Sequence, residues 1–210
     1  MIVLLGDIHG NTKVLQDAIK KASNASAIIQ VGDFGLFENS KSLFYDAMKD
    51  ANVPVYFIDG NHDDCSRFST YKKITRIWKD RELFFIPRGT VMKINNYTIG
   101  FMGGASSVDK EIRLKNKLHW DSRENISTQE YIRIFKNSEN KKIDILITHC
   151  PPTSIVQKHF YNNLNDDNQN IIQNIWEKLK FPKIYCGHMH QSIIGKNYRI
   201  LDIDELIAIP

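Results

Sequence analysis

Short apolar runs alternate with segments of helical spacing in the first third of the chain. Runs of four to six mostly apolar residues are typical of buried strands, and apolar residues at i, i+3 and i+4 are typical of amphipathic helices. The runs predict strands at residues 2–5, 27–31 and 53–58. One predicted helix follows Asn11, a candidate N-cap, and another follows Asn39 or Ser40. This β-α-β-α-β order favours a parallel sheet covered by helices.

The rest of the chain adds antiparallel strands. Residues 90–94 and 97–101 flank Asn95-Asn96, which predicts a hairpin with a two-residue turn. The remaining predicted elements are helices at residues 127–136 and 166–179 and strands at residues 143–148, 184–186, 192–194 and 198–203. We therefore expect one α/β domain, residues 1–210, with mixed sheets.

Composition and charge limit the classes of substrate, partner and cellular compartment that fit this protein. The chain has 210 residues and a net charge of +4, which suits an anionic substrate but is too weak to imply nucleic acid alone. Its three cysteines lack CxxC spacing, which argues for a reducing compartment and against a disulfide framework. Neither a signal-peptide pattern nor an apolar run of membrane-spanning length occurs. We expect a cytoplasmic protein that does not bind membranes.

Polar residues follow the predicted strands closely. Just past five strand ends stand Asp7, Asp33, Asn61, His149 and His188, and a glycine precedes four of them. In open α/β sheets, ligands bind beyond the carboxyl ends of the strands. Glycine allows a sharp turn and close approach of the backbone to a bound group. We therefore expect these side chains to meet at one edge of the fold.

His9 and His190 extend this set through the triplets Asp7-Ile8-His9 and His188-Met189-His190. Each triplet alone is incidental in most proteins, but five of the seven histidines lie at predicted strand ends, which favours function for the set. Two carboxylates, four imidazoles and an amide oxygen suit Mn, Fe, Zn or Ni. Seven ligands exceed the three or four that hold one catalytic zinc. They predict two metals bridged by the central carboxylate, Asp33.

Five motifs resemble those of the calcineurin-like metallophosphoesterases, and they occur in the family's order. The motifs are GDIHG (residues 6–10), VGDFG (31–35), GNHD (60–63), THCPP (148–152) and GHMH (187–190). They cover nearly the whole chain. The resemblance implies a four-layer αββα sandwich with two mixed β-sheets flanked by helices, and a dinuclear metal site at one end.

The resemblance also implies roles for individual residues. One metal would be held by Asp7, His9 and His190, the other by Asn61, His149 and His188, with Asp33 as the bridge. Two divalent ions are expected, Mn first and Fe, Zn or Ni as alternatives. A hydroxide bridging the metals would attack phosphorus, and His62 would protonate the leaving oxygen.

Three positions refine the resemblance. Leu36 stands where purple acid phosphatases carry a tyrosine ligand, and Asp59 stands where Ser/Thr protein phosphatases carry arginine, so both branches are disfavoured. Relatives often carry an aspartate or a glycine at the Leu36 position, and an aspartate there often supports the catalytic histidine. His62 therefore has another orienting partner, for which Glu38 is a candidate, or it has none. In the loop at residues 109–120, Arg113 would bind a phosphate oxygen, or else belong to a solvated basic loop.

The expected function is hydrolysis of phosphomonoesters or phosphodiesters. The expected partner is a small phosphorylated substrate, with nucleotides among the candidates. Two alternatives stay open: a nuclease of the same fold, and a non-catalytic metal-binding scaffold.

Overall fold

The computed structural model describes residues 1–116, 120–160 and 166–209. Its helices are α1 Thr12–Lys21, α2 Lys41–Ala47, α3 Cys65–Phe68, α4 Lys110–Lys115, α5 Thr128–Ser138, α6 Thr153–Phe160 and α7 Asp167–Leu179. Its strands are β1 Ile2–Leu5, β2 Ala27–Gln30, β3 Val55–Phe57, β4 Thr75–Arg76, β5 Leu83–Phe85, β6 Thr90–Ile94, β7 Tyr97–Met102, β8 Ile145–Thr148, β9 Lys183–Cys186, β10 Ile193–Ile194, β11 Tyr198–Ile200 and β12 Leu206–Ile209. Within these ranges, no helix combines the length and the apolar character that a membrane crossing requires.

The described strands form two six-stranded mixed sheets. The first has the order β12-β1-β2-β3-β5-β4, and the second has the order β10-β11-β9-β8-β7-β6. In each sheet four parallel strands lie in the middle and an antiparallel strand lies at either edge. The parallel strands place their carboxyl ends at one edge of each sheet, where the polar residues of the motifs follow.

Three apolar cores separate four layers, because both faces of the central strands are covered. Alternate residues of β1 point to opposite faces: Val3 and Leu5 join the core under α1 and α2, and Ile2 and Leu4 join the core between the sheets. The third core packs α5, α6 and α7 against the second sheet. The continuous apolar runs of the central strands follow from this double burial. The expected αββα sandwich is confirmed.

Local signals located most helix starts. The Asn11 side chain accepts a hydrogen bond from the Val14 amide at 3.4 Å, and Asp166 caps α7 by accepting from the Gln169 amide at 2.9 Å. Helix α2 begins directly after Ser40, one of its two predicted N-cap residues, but the Ser40 side chain makes no cap hydrogen bond. A 3-10 turn, Glu38–Ser40, precedes that helix, and the Ser40 hydroxyl donates to the Gly35 and Phe37 carbonyls instead of capping.

The C-terminal strands also differ from the prediction. The strand expected at residues 198–203 ends at Ile200, and it runs parallel to β9 while pairing antiparallel with β10. An unpredicted strand, β12, then crosses to the first sheet and pairs with β1, with Ile209 opposite Ile2. The run Leu206–Ile209 is apolar, but its partner lies about two hundred residues away in sequence, beyond the reach of a local pattern.

A buried ion pair ties together the loops near the strand ends. Arg88 Nη2 lies 2.7 Å from Asp59 Oδ2, and the two side chains are 4% and 3% exposed. The same guanidinium donates to the backbone carbonyls of Glu124 at 3.0 Å and Asn125 at 2.8 Å. Asp59 thus pairs inside the protein, and Arg88 fastens the segment around Glu124 to the end of β3.

Replacing Arg88 with methionine should lower the free energy of unfolding by about 3–5 kcal/mol, because Asp59 would be left as an uncompensated buried charge. Urea denaturation measures this loss. Arg76→Met is the matched control, since its pair with Glu82 is 39% and 40% exposed and its loss should stay below about 1 kcal/mol. Equal losses in the two variants would contradict the assignment of a structural role to Arg88.

Candidate metal centre

All seven residues predicted as metal ligands lie together at the carboxyl ends of the strands. Donor atoms of Asp7, His9, Asp33 and His190 all lie within 4.8 Å of one another, and so do those of Asp33, His149 and His188. Asn61 joins the second group, with Oδ1 3.2 Å from His149 Nε2. Asp33 belongs to both groups, as a bridging carboxylate requires.

The first group opens toward solvent. His9 Nε2 and His190 Nε2 face each other at 3.1 Å, and His190 Nε2 lies 3.4 Å from Asp7 Oδ2. Both imidazoles are exposed, whereas the Asp7 carboxylate is buried. Nitrogens and a carboxylate oxygen thus converge from three directions on one small volume.

The second group is deeper. His149 Nδ1 lies 3.0 Å from the Val31 carbonyl, which can only accept, so this nitrogen carries the proton. The other ring nitrogen, Nε2, lies 3.3 Å from Asp33 Oδ1, so it donates to that carboxylate and would bind a metal only after losing this proton. A backbone carbonyl that fixes the tautomer is the usual support of a metal-binding histidine.

The electrostatics of the cluster favour a cation. Burial alone would raise the pKa of Asp33, but the charge of His149 and a hydrogen bond from it hold this pKa well below its usual range. Burial alone would lower the pKa of His149, but the Asp33 and Asp7 carboxylates raise it. Burial lowers the pKa of His188 to about 3, which keeps that imidazole neutral.

The residues also fit a metal by their unsatisfied bonding. Among the described residues, the buried Asp33 Oδ2 has no hydrogen-bond donor. A buried carboxylate oxygen without a partner carries a large desolvation penalty, which a coordinated cation removes. Carboxylate, imidazole and amide donors together suit a borderline divalent ion.

The backbone is strained at four of these residues. His9, Asp33, His188 and His190 adopt φ values of 43°, 55°, 69° and 50°, in the left-handed region. Such a conformation is uncommon for residues other than glycine and costs of order 1–3 kcal/mol each. The surrounding fold holds the strained backbone, and this aims the side chains inward.

Two glycines of the motifs are explained by close approach of a carboxylate. A Cβ atom at Gly60 would lie 2.1 Å from Asp33 Oδ1, and one at Gly187 would lie 2.1 Å from Asp7 Oδ1. Any larger residue would displace the carboxylates from the cluster.

Asp63 supports the site, although the sequence assigned it no role. Its buried carboxylate accepts from the amides of Gly35 and Gly60, each at 2.7 Å, and of Phe34 at 3.2 Å. Burial raises its pKa above the usual range. It joins the loops after β2 and β3, which carry Asp33 and Asn61. An acidic residue directly after the GNH triplet was the available signal.

Gln30 is a second supporting residue. Its side chain donates to the carbonyls of Gly6 at 3.2 Å and Gly32 at 2.5 Å and accepts from the Gly32 amide at 3.0 Å. It sets the spacing of the loops that carry Asp7 and Asp33. The signal was a lone polar residue in an otherwise apolar strand.

His62 and Arg113 meet beside the cluster. The His62 amide donates to Asp33 Oδ1 at 2.7 Å, and Arg113 Nη2 lies 2.6 and 2.7 Å from the two ring nitrogens of His62. Arg113 is 6% exposed and pairs with Asp109 at 2.9 Å, so the alternative of a solvated arginine is wrong. Glu38, the candidate partner of His62, instead pairs with Lys41 at the surface, and Arg113 is the residue that contacts the His62 ring. Burial lowers the pKa of His62 more than the Asp33 carboxylate raises it.

A cavity of about 500 Å³ opens over these residues and is lined by His9, Asn61, His62, Asp109 and Arg113, among others. Helix α4 therefore overhangs the site as expected, while residues 117–119 of the same loop lie outside the described residues. A larger cavity, of about 880 Å³, lies beside α5 and α7. No predicted ligand is among the described residues that line it, and the smaller cavity is the one at the candidate site.

Comparison with solved structures supports the fold. TT1561 of Thermus thermophilus has a TM-score of 0.60 at 13% identity, with 97% of this chain and 89% of that chain covered. A phosphopantetheinyl hydrolase from Mycobacterium tuberculosis is less similar in structure, with a TM-score of 0.46 at 12% identity and with 97% and 90% covered. At 13% identity, the likeness to TT1561 shows the fold alone, and no protein of curated function matches.

The family profile described as calcineurin-like phosphoesterase matches residues 1–192. The match includes every residue of the two donor groups and every motif found in the sequence. This chain therefore belongs to the calcineurin-like phosphoesterase family and is a hydrolase that acts on phosphoric esters.

Proposed function

We propose that this chain is a dinuclear metal-dependent phosphoesterase that cleaves small phosphomonoesters or phosphodiesters. The observation that carries the proposal is the pair of donor groups that share the Asp33 carboxylate. One ion would be held by Asp7, His9 and His190, the other by Asn61, His149 and His188, with Asp33 between them. The mixed nitrogen and oxygen donors favour Mn, with Fe, Zn or Ni as alternatives.

Divalent ions bound there would activate water for attack on phosphorus and neutralise charge on the phosphoryl oxygens. The side chains at the rim of the cavity would donate a proton to the leaving group and bind the phosphate. His62 lies beside Asp33 and would donate a proton to the leaving oxygen, helped by the negative charge of a bound ester. Arg113 would donate to a non-bridging phosphate oxygen.

The size of the cavity supports a small substrate. A volume of about 500 Å³ is in the range of small-molecule sites, about 300–1,000 Å³. The modest net charge of +4 is weak support for the nuclease alternative. The buried, free cysteines suit a reducing, cytoplasmic setting. A single domain spanning residues 1–210 would carry all of these parts.

A substrate panel separates an enzyme from a scaffold. The purified protein would be assayed against phosphomonoesters, phosphodiesters, nucleotides and single-stranded DNA, with Mn, Ni, Fe or Zn added in turn. We expect hydrolysis of small esters that depends on added metal. Binding of metal without hydrolysis of any ester would instead favour the scaffold, and preferential cleavage of DNA would favour the nuclease.

Asp33→Asn should abolish binding of both ions, because an amide offers one neutral oxygen where a carboxylate offers two charged ones. Hydrolysis should fall by more than about 100-fold, because even the loss of a residue that only supports a metal ligand costs up to about 100-fold. Equilibrium dialysis against Mn and an assay in metal-free buffer plus Mn check this. Asp17→Asn, on the exposed face of α1, is the matched control and should change neither. Full activity in Asp33→Asn would refute the dinuclear centre.

His62→Ala should slow alkyl phosphoesters by about 10²–10⁴-fold and nitrophenyl esters clearly less. An alkoxide leaving group needs a proton, whereas a nitrophenolate is stable without one. The measurement is the ratio of the two losses in kcat, with His159→Ala, which contacts Tyr198 elsewhere, as the control. Equal losses for both ester types would leave His62 with charge stabilisation only.

Arg113→Ala should raise KM for phosphoesters by roughly 10–100-fold, the usual effect of losing a hydrogen bond to a charged group. Steady-state kinetics with several esters measure this, and Arg113→Lys should recover part of the loss. Arg123→Ala is the control, because that side chain is 52% exposed and pairs with Asp121. Unchanged KM in Arg113→Ala would assign Arg113 to support of His62 alone.

A further inference from the structure

We infer that Ser107 and Glu124 determine which end of the Asn61 amide faces the metal centre, and so act as positioning residues for the second ion. The inference rests on the proposed function. Ser107 lies in the loop after β7 and Glu124 in a 3-10 turn, Ser122–Glu124. Neither belongs to the five sequence motifs.

The three side chains form one buried chain of hydrogen bonds. Asn61 Nδ2 lies 3.3 Å from Ser107 Oγ, and Ser107 Oγ lies 2.7 Å from Glu124 Oε2. At the other end, Asn61 Oδ1 lies 3.2 Å from His149 Nε2, inside the second donor group. All three side chains are buried, so each polar atom depends on its partner in this chain.

The direction of these hydrogen bonds follows from the Glu124 carboxylate, which can only accept. Glu124 Oε1 accepts from the Ser107 amide at 2.8 Å and from the Trp120 indole at 3.1 Å. Glu124 Oε2 accepts from the Ser107 hydroxyl, which uses the single proton of that hydroxyl. The Ser107 oxygen is then an acceptor toward Asn61.

An acceptor at Ser107 requires the Asn61 NH₂ group to point at it, which turns the Asn61 oxygen toward His149. The two ends of a carboxamide have nearly the same shape, so packing alone does not choose between them. The reverse orientation would present NH₂ to the second donor group, and NH₂ has no lone pair to offer a metal. Arg88 holds the Glu124 backbone in place through its 3.0 Å hydrogen bond.

Two substitutions test this through Mn²⁺ binding to the purified full-length chain. Ser107→Ala removes the acceptor. Glu124→Gln keeps the size but reverses the polarity: its oxygen must stay at the Oε1 position to accept two N–H groups, so its NH₂ takes the Oε2 position and donates to Ser107. Either the Ser107 proton then loses its acceptor or the Asn61 amide turns.

Equilibrium dialysis with metal analysis should show two Mn²⁺ ions in the wild type. In Ser107→Ala and in Glu124→Gln one of the two ions should bind about 10–100-fold more weakly, the usual effect of losing a residue that supports a ligand. The other ion should keep its affinity. Thermal unfolding of the metal-free variants by circular dichroism checks that they are folded.

Matched controls separate positioning from general damage. Ser106→Ala removes the neighbouring hydroxyl, which bonds to Asn125, and should leave both ions bound. Ser107→Thr keeps the hydroxyl and should bind both ions with wild-type affinity. Wild-type affinities in both test variants, equal weakening of both ions, or the same loss in Ser106→Ala would each overturn the inference. A wild type that binds fewer than two ions would overturn the proposed centre as well.

Discussion

The structure depends on holding two buried carboxylates, Asp7 and Asp33, against four imidazoles where the strand ends of two sheets meet. Burying charge is expensive unless it is paired, and Asp33 Oδ2 is left without a donor among the described residues. Most features near the strand ends serve this constraint. Glycines make room for the carboxylates, Asp63 and Gln30 join the loops that carry them, and several ligand backbones adopt left-handed angles.

The four-layer fold makes that arrangement possible. Strain of order 1–3 kcal/mol at each left-handed residue persists only where the surrounding structure determines the backbone. Here the strands leading into the site are buried on both faces, between a helical layer and the opposite sheet. The Arg88–Asp59 pair then fixes the adjoining loops. Rigid elements below and cross-linked loops above keep the donor atoms at short distances before any ion is bound.

Two parts of the chain have different roles at the site. The donor atoms come from loops that follow strands of both sheets, and these loops carry the family motifs. The segment between β7 and α5 adds the surroundings. Arg113 of this segment contacts His62 at the cavity. Ser107 bonds to the Asn61 side chain and is itself held by Glu124. We expect this segment to influence substrate specificity, because its described residues shape the cavity without supplying a donor atom to either group.

The sequence by itself determined the central strands β1, β2, β3, β7, β8 and β9, though not β4 and β5, and it also determined the caps of α1 and α7 and the residues that follow the strand ends. Each of these is encoded in local periodicity or in a short motif. Tertiary structure alone decided the distances between these residues. His9 and His190 are 181 positions apart yet their nitrogens lie 3.1 Å apart, a distance set by how two sheets pack. The same packing buried Arg113, paired β12 with β1 and placed Ser107 behind Asn61. No local pattern contains such contacts, since they arise only when distant segments share one core.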